Sequence, residues 1–377
     1  MSALENPGGE YPGGDRPFHL WAQGCAHVFH DKTCGRESLG DALRQSERGG
    51  PAGDDAGAPP FDWDICINVG DYSSAFGPPT DEEGAEIVRQ FGALKHHRRE
   101  QIYSVCGNHD RDPFSEPEGS WFRKWIDPMG ENTATSGVER SRYPYPVHGT
   151  WDRYWFDVGN IRFLMMSDVN ERAQTLGRGP LGGNPGGVVT AETFDWWADM
   201  VERSRGERIV VTVHHYVLKE TTVASGEWEG MKKGPDGAWR MDYHGYYAEG
   251  TPNGASYLYW VGGAADSGRF ERYLEDNPGA VDLWFGGHTH TNPDDQHGGK
   301  SHIETRYGGT TFVNAAALTR HFVADHAMPH SRVLTFAPGS REVRIRCYMH
   351  TSEHRPAGWY DARERRITLG RPFTWTE

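Results

Sequence analysis

The 377-residue sequence lacks any apolar run that approaches the length of a membrane span, and its opening, MSALENPGGEYPGGDRP, has no apolar core of the kind an export signal needs. Cysteine is also scarce. Cys25, Cys34, Cys66, Cys106 and Cys347 are odd in number, far apart and mostly set in apolar runs, which excludes a disulfide framework as the basis of the fold. Both absences fit a reducing compartment, so the expectation is a cytoplasmic protein. Basic residues are in deficit too. The 39 Lys and Arg face 53 Asp and Glu, for a formal charge of -14. With no basic stripe to offset that excess, a nucleic-acid polymer is disfavoured as a partner.

What is present is a globular chain with enough hydrophobic residues for a substantial core. Residues 1–17 read as a flexible arm, 18–350 as the main domain and 351–377 as a C-terminal extension. A Gly/Pro/Asp-rich stretch, Gly49 to Pro60, separates the first motif from the next apolar segment. Short β-branched and apolar runs predict buried strands at Phe18–Ala22, Ile65–Val69, Gln101–Val105, Ile161–Met166, Arg208–Val213, Val281–Phe285 and Thr311–Val313. Helical spacing predicts helices within Arg36–Glu47, Glu82–Leu94 and Ala191–Ser204, the last opened by Thr190 as N-cap. Strands alternating with helices imply an α/β architecture. Two segments break the rhythm, about 112–153 and 216–269. Both are rich in Gly, Trp and Tyr and read as long loops over a site.

Chemistry-bearing residues recur just past the C-terminal ends of those strands. Cys25-Ala26-His27, Gly70-Asp71, Gly107-Asn108-His109-Asp110, His214-His215 and Gly286-Gly287-His288-Thr289-His290 each follow an apolar run. Loops at that edge are where α/β folds gather ligand sites, so residues dispersed in sequence can converge there. Singly, each has a plain reading: a Gly-Asp is usually a turn, and a lone buried Cys usually packs as a small hydrophobe. Together and in this order they do not read as coincidence.

That order, Gly-Asp, then Gly-Asn-His-Asp, then a His after an apolar strand, then Gly-His-x-His, resembles the calcineurin-like metallophosphoesterase superfamily. Purple acid phosphatases and class III cyclic-nucleotide phosphodiesterases belong to it. The stretch Tyr154–Asp168, YWFDVGNIRFLMMSD, is similar to the strand pair that precedes the later half of such domains. The resemblance spans roughly Phe18 to Val313. It implies a four-layer α/β/β/α sandwich with two metal ions at the C-terminal edges of facing sheets.

It also implies roles. Asp71 would bridge both ions, His27 and His290 would complete the first, and Asn108, His214 and His288 the second. His215 would face the substrate or support the ligands. His109 would lie near the leaving-group oxygen as a proton donor, oriented by Asp110. A metal-bound hydroxide would then attack phosphorus. Two departures stand out. Cys25 occupies the place of the family's first Asp, so either its thiolate is a ligand, favouring zinc or iron with manganese possible, or the first metal site is weakened. Tyr216 stands where many relatives carry Pro. The activity so implied is hydrolysis of a small-molecule phosphate ester, with a small organic phosphodiester favoured over a phosphomonoester. A metal-holding binding module is the alternative from another class.

Overall fold

The computed structural model describes the chain from Asp15 to Trp375, apart from residues 34, 50–57, 76, 114, 170–186, 227–230, 234–238, 242–255, 259, 263–267, 297–298, 316, 321–326 and 351–356. Cys34, residues 1–14 of the expected arm and much of the 216–269 insertion therefore lie outside the described residues. The strands, in chain order, begin with β1 (Phe18–Gln23), β2 (Ile65–Asn68), β3 (Ile102–Ser104), β4 (His148–Gly149), β5 (Arg153–Val158) and β6 (Ile161–Met166). There follow β7 (Val188–Val189), β8 (Ile209–Val213), β9 (Met231–Lys233), β10 (Trp239–Met241), β11 (Trp260–Val261) and β12 (Leu283–Gly286). The last are β13 (Ile303–Arg306), β14 (Thr310–Asn314), β15 (His330–Phe336), β16 (Glu342–Met349), β17 (Gly358–Trp359) and β18 (Arg365–Thr368).

They form two large sheets. In the first the order is β17-β16-β15-β1-β2-β3, with β18 on the other part of β16; in the second it is β13-β14-β12-β8-β6-β5-β4. β1, β2 and β3 run parallel, as do β6, β8, β12 and β14, so the C-terminal ends of each parallel set share one edge. Short pairs, β7 with β11 and β9 with β10, complete the strands.

Strand periodicity decides what fills the space between the sheets. Leu20 and Ala22, Ile65 and Ile67, Val211 and Val213, and Leu283 and Phe285 alternate inward and pack with one another. Their neighbours Trp21 and Cys66 face a second apolar layer, formed with Leu39 and Leu43 of α2 (Ser38–Arg48) and Ile87 and Phe91 of α3 (Asp81–Phe91). A short α1 (Val28–Thr33) precedes these helices. On the far side, Val210 and Trp284 meet Phe194 and Trp197 of α6 (Ala191–Ser204) and Phe270 of α7 (Gly268–Asp276). Helices therefore cover both outer faces, and the expected α/β/β/α sandwich is the fold.

Local sequence explains the helix starts. The Thr80 hydroxyl accepts the Glu83 N–H while the Glu83 carboxylate accepts the Thr80 N–H, a reciprocal cap. Thr190 likewise accepts the Thr193 N–H at 3.0 Å. The 112–153 insertion carries α4 (Ser120–Trp125) and α5 (Thr133–Ser136), with Trp121 and Phe122 packed in the layer beneath α3. Residues after 350, expected as an extension, add β17 and β18 to the first sheet, and Phe373 and Trp375 enter the core between the sheets. The hairpin β15–β16 and these two strands were absent from the sequence expectations.

Candidate metal centre

The shared edge gathers Cys25 and His27 past β1, Asp71 past β2, Asn108, His109 and Asp110 past β3, His215 past β8, and His288 and His290 past β12. All of them are buried. Sharp turns bring the side chains inward. Cys25, His27, Asp71 and His288 have φ of 48°, 41°, 59° and 66°, a left-handed backbone that side chains other than Asn, Asp or His seldom adopt. Of the four, Cys25 is the one whose residue type seldom takes this backbone, so the strain of the cluster lies at that position. Two glycines let the loops touch. A Cβ on Gly70 would lie 2.5 Å from the Gly107 nitrogen, and one on Gly107 would lie 2.2 Å from Asp71 Oδ1. The Gly in each motif is thus required by close approach of two backbones.

Asp71 is the centre. Its Oδ1 accepts the His109 N–H at 2.9 Å, and its Oδ2 lies 3.1 Å from His215 Nε2 and 3.6 Å from His27 Nε2. Burial opposes its ionisation, but His215, His109 and His27 hold the carboxyl well below the usual range. His27 Nε2 meets His290 Nε2 at 3.2 Å, and Asn108 Oδ1 meets His288 Nδ1 at 3.2 Å. Three overlapping groups have donor atoms within 4.8 Å of one another: Cys25, His27 and His290; Cys25, Asp71 and His215; His27, Asp71 and His109. Imidazole nitrogens aimed at each other and at one carboxylate, out of water, form the donor set a borderline divalent cation needs. Cys25 Sγ accepts the His288 N–H at 3.1 Å, while burial and then Asp71 push its thiol well up. A bound cation would reverse that balance, since a coordinating thiol is deprotonated outright.

Of the adjacent histidines the geometry brings in His215, not His214. Ile209, Val211 and Val213 face the other sheet and Val210 faces the helices, so the alternation continued past β8 turns His214 outward and His215 inward. Each imidazole is fixed accordingly. His215 Nδ1 donates to Val69 O at 2.6 Å, which leaves Nε2 as the donor atom beside Asp71. His214 Nδ1 takes the Tyr216 N–H at 3.0 Å, a shorter contact than the 3.3 Å to the Tyr216 carbonyl, and its Nε2 lies 3.7 Å from Asp168 Oδ1. Burial holds His214 down at about 3, neutral and outside the cluster.

Asp110 also differs from expectation. Its carboxylate accepts the N–H groups of Asp71 (2.8 Å), Ser73 (2.9 Å) and Gly107 (3.0 Å), tying the β2 and β3 loops together. Burial, then Asp71, pushes it up to about 7. His109 is oriented instead by the Ala75 carbonyl, 2.6 Å from Nδ1, with its ring edge-on to His27 at 4.7 Å. Sequence reasoning also passed over Arg111 and Asp168. These buried residues pair at 3.4 Å beneath the His214 side of the site, and Asp168 Oδ1 accepts the Val188 N–H at 2.6 Å. The outward alternation at His214 is the signal that could have pointed to them.

Comparison with known proteins adds to this geometry. The profile of the calcineurin-like phosphoesterase family matches residues 30–292, a span that contains Asp71 through His290 and begins after Cys25 and His27. No curated protein matches. Among solved structures, the chain is similar to Vps29 of Chaetomium thermophilum at 11% identity and a TM-score of 0.33, covering 94% of this chain and 100% of that one. Vacuolar Protein Sorting 29 from Cryptosporidium parvum is similar at 10% identity and 0.33, with the same coverage of 94% and 100%. On the match of the family profile over most of its length, the chain belongs to the calcineurin-like phosphoesterase family.

Proposed function

We propose that the protein hydrolyses a small organic phosphodiester with the help of two metal ions. The observation that carries this reading is the gathering of Cys25, His27, His109 and His215 around Asp71 at the edges of both sheets, with His290 against His27 and Asn108 against His288 beside them. Cys25, His27 and His290 would hold one ion, Asn108, His215 and His288 the other, and Asp71, which faces both His27 and His215, would serve both. The thiol and imidazoles favour zinc or iron, while the oxygen and nitrogen donors also accept manganese. Bound there, the ions would polarise the phosphoryl oxygens and lower the pKa of water toward about 7.

The chain's own contribution is to position and to move a proton. With Nδ1–H given to Ala75 O, His109 presents Nε2 as the nitrogen that delivers a proton to the leaving-group oxygen. Asp110 keeps the Asp71 turn rigid through its three backbone hydrogen bonds. The lean toward a singly charged diester rests on one observation: Arg111, a buried cation on the loop after Asp110, is committed to Asp168 and to the Val169 carbonyl. Three aromatics of the 216–269 insertion pack inward: Tyr216 joins the layer under α6, and Tyr257 and Trp260 pack with Val169 and Val188. They hold the loop onto the body, so the organic group of the ester is not assigned to them. Among the described residues no helix is long and apolar enough to cross a membrane, and the proposed partner is a small-molecule phosphate ester in a cytoplasmic setting.

The test uses bis(p-nitrophenyl) phosphate and p-nitrophenyl phosphate with metal-loaded protein. Faster release from the diester, abolished by a chelator and restored by zinc or manganese, is the expected result. Faster release from the monoester makes the protein a phosphomonoesterase on the same site. Turnover that survives chelation overturns the metal-dependent reading, and full metal content without turnover of any ester in a wider panel leaves a binding module.

Cys25 gives a separate prediction. Cys25→Ser lowers the zinc content of one site, because a neutral hydroxyl is a poorer ligand than a thiolate, and Cys25→Asp moves the preference toward manganese. Elemental analysis of both variants checks this. Two ions retained with unchanged affinity in Cys25→Ser would return Cys25 to a packing role.

A further inference from the structure

A second buried group of basic side chains lies between the sheets. On β15, Leu334 and Phe336 point into the core between the sheets, and alternation sends His330 and Arg332 to the same side. Arg332 stands opposite Ala22 on β1 and Cys347 on β16, neither of which offers it a carboxylate. It is 1% exposed, His330 0% and His302 2%. His330 Nδ1 donates to the Met328 carbonyl at 2.6 Å, so its Nε2 is the acceptor for Arg332 Nη2 at 3.3 Å. The His302 ring sits edge-on to that of His330 at 5.6 Å. The hydroxyl of Thr291, the residue after His290, lies 2.6 Å from His302 Nε2 and 3.5 Å from the Thr289 carbonyl, so it donates to Nε2 and leaves the ring proton on Nδ1.

What these contacts leave over is a set of donors. Arg332 Nε and Nη1 and His302 Nδ1 are buried with no hydrogen-bond partner. No ion pair with a carboxylate is described for Arg332. Asp294, on the loop that follows Thr291, is engaged by Arg363 at 2.7 Å and by the Tyr360 hydroxyl at 2.9 Å. Burial pushes the guanidinium below its usual range, and Arg365 and Arg363 add to that. A guanidinium nevertheless stays charged in proteins, and a buried charge without a counter-charge is costly.

We propose that Arg332, His302 and His330 form a closed binding site for a small inorganic anion, held by the Arg332 Nε–H and Nη1–H and the His302 Nδ1–H. The anion supplies the negative charge that no side chain provides among the described residues. Complete burial limits it to a halide or a compact oxyanion. The site is distinct from the Asp71 centre, to which it is linked through Thr291 and His290.

The experiment measures the thermal midpoint of metal-loaded protein at constant ionic strength, with chloride or phosphate replacing a bulky organic sulfonate. The midpoint of the wild type rises with chloride or phosphate, and the preferred anion is the one acting at lower concentration. Arg332→Met loses the chloride dependence while keeping metal content and turnover. In sulfonate alone it is at least as stable as the wild type, because the uncompensated charge is gone. A wild-type midpoint indifferent to the anion, or a dependence of equal size in both proteins, overturns the proposal. If Arg332→Met fails to fold, bromide-soaked crystals of the wild type decide. An anomalous peak between Arg332 and His302 supports the site, and water alone at that position rejects it.

Discussion

His215→Ala empties one metal position and His214→Ala does not. The first change removes an imidazole whose Nε2 is 3.1 Å from Asp71 Oδ2 and whose Nδ1 is anchored on Val69 O. The loss of affinity should exceed the ~10–100-fold typical of residues that only support a ligand, and turnover falls with it. The second removes a ring that faces away from the cluster and accepts the Tyr216 N–H. Its cost falls on stability, about 1–3 kcal/mol for a buried donor left without its acceptor, while both ions stay. Elemental analysis and thermal midpoints of the two variants separate these outcomes. Metal lost from His214→Ala and retained in His215→Ala would reverse the assignment.

The second large effect is at Asp71, the only carboxylate among the proposed ligands. Asp71→Asn preserves the shape of the side chain and an oxygen to accept the His109 N–H, so the turn should fold as before. The shared negative charge is lost, and with it the means of holding two cations close together. Both ions should leave and turnover should drop to the level of the chelated wild type, with the circular dichroism spectrum unchanged. Near-normal metal content with normal turnover would remove the basis of the centre. His109→Ala provides the contrast. It keeps both ions and lowers turnover by about 10²–10⁴-fold, the range of general acid–base help, and least for esters with good leaving groups.

The edge at which the candidate ligands gather was legible because each motif follows an apolar strand, and the seven expected strands occupy those places within one or two residues. The choice between His214 and His215 was equally open to reading. Ile209, Val211 and Val213 set a parity that His215 continues, whereas the family's pattern of a His after an apolar strand points to His214. The hairpin was missed despite a plain pattern in Glu342–Met349, where Val343, Ile345 and Cys347 are buried and Arg344 and Arg346 half-buried. Its partner β1 lies so far away in sequence that no local signal couples them. The role of Asp110 could not be read at all, because its partners are backbone N–H groups placed by two separate loops. The left-handed turns at Cys25 and His27 carry no glycine to announce them, since tertiary packing imposes them.

The order of the sheets sets an order of events during synthesis. The second sheet is drawn entirely from residues 148–314, so His215, His288 and His290 can take their places once that stretch has emerged from the ribosome. The first sheet cannot be finished then. β1 is flanked by β15, and the bond from Trp21 to Ser331 spans 310 positions. The backbone of Gly24 and Cys25 is likewise held by Leu318 and Thr319. β2 holds Cys25 and His27 on one side through Gly70 and Asp71, and the other side of their strand is completed only by residues 318–349. On the proposed reading, capture of the ion assigned to Cys25, His27 and His290 is a late step of folding, and ribosome-bound chains stalled before β15 should take up one ion fewer than released protein.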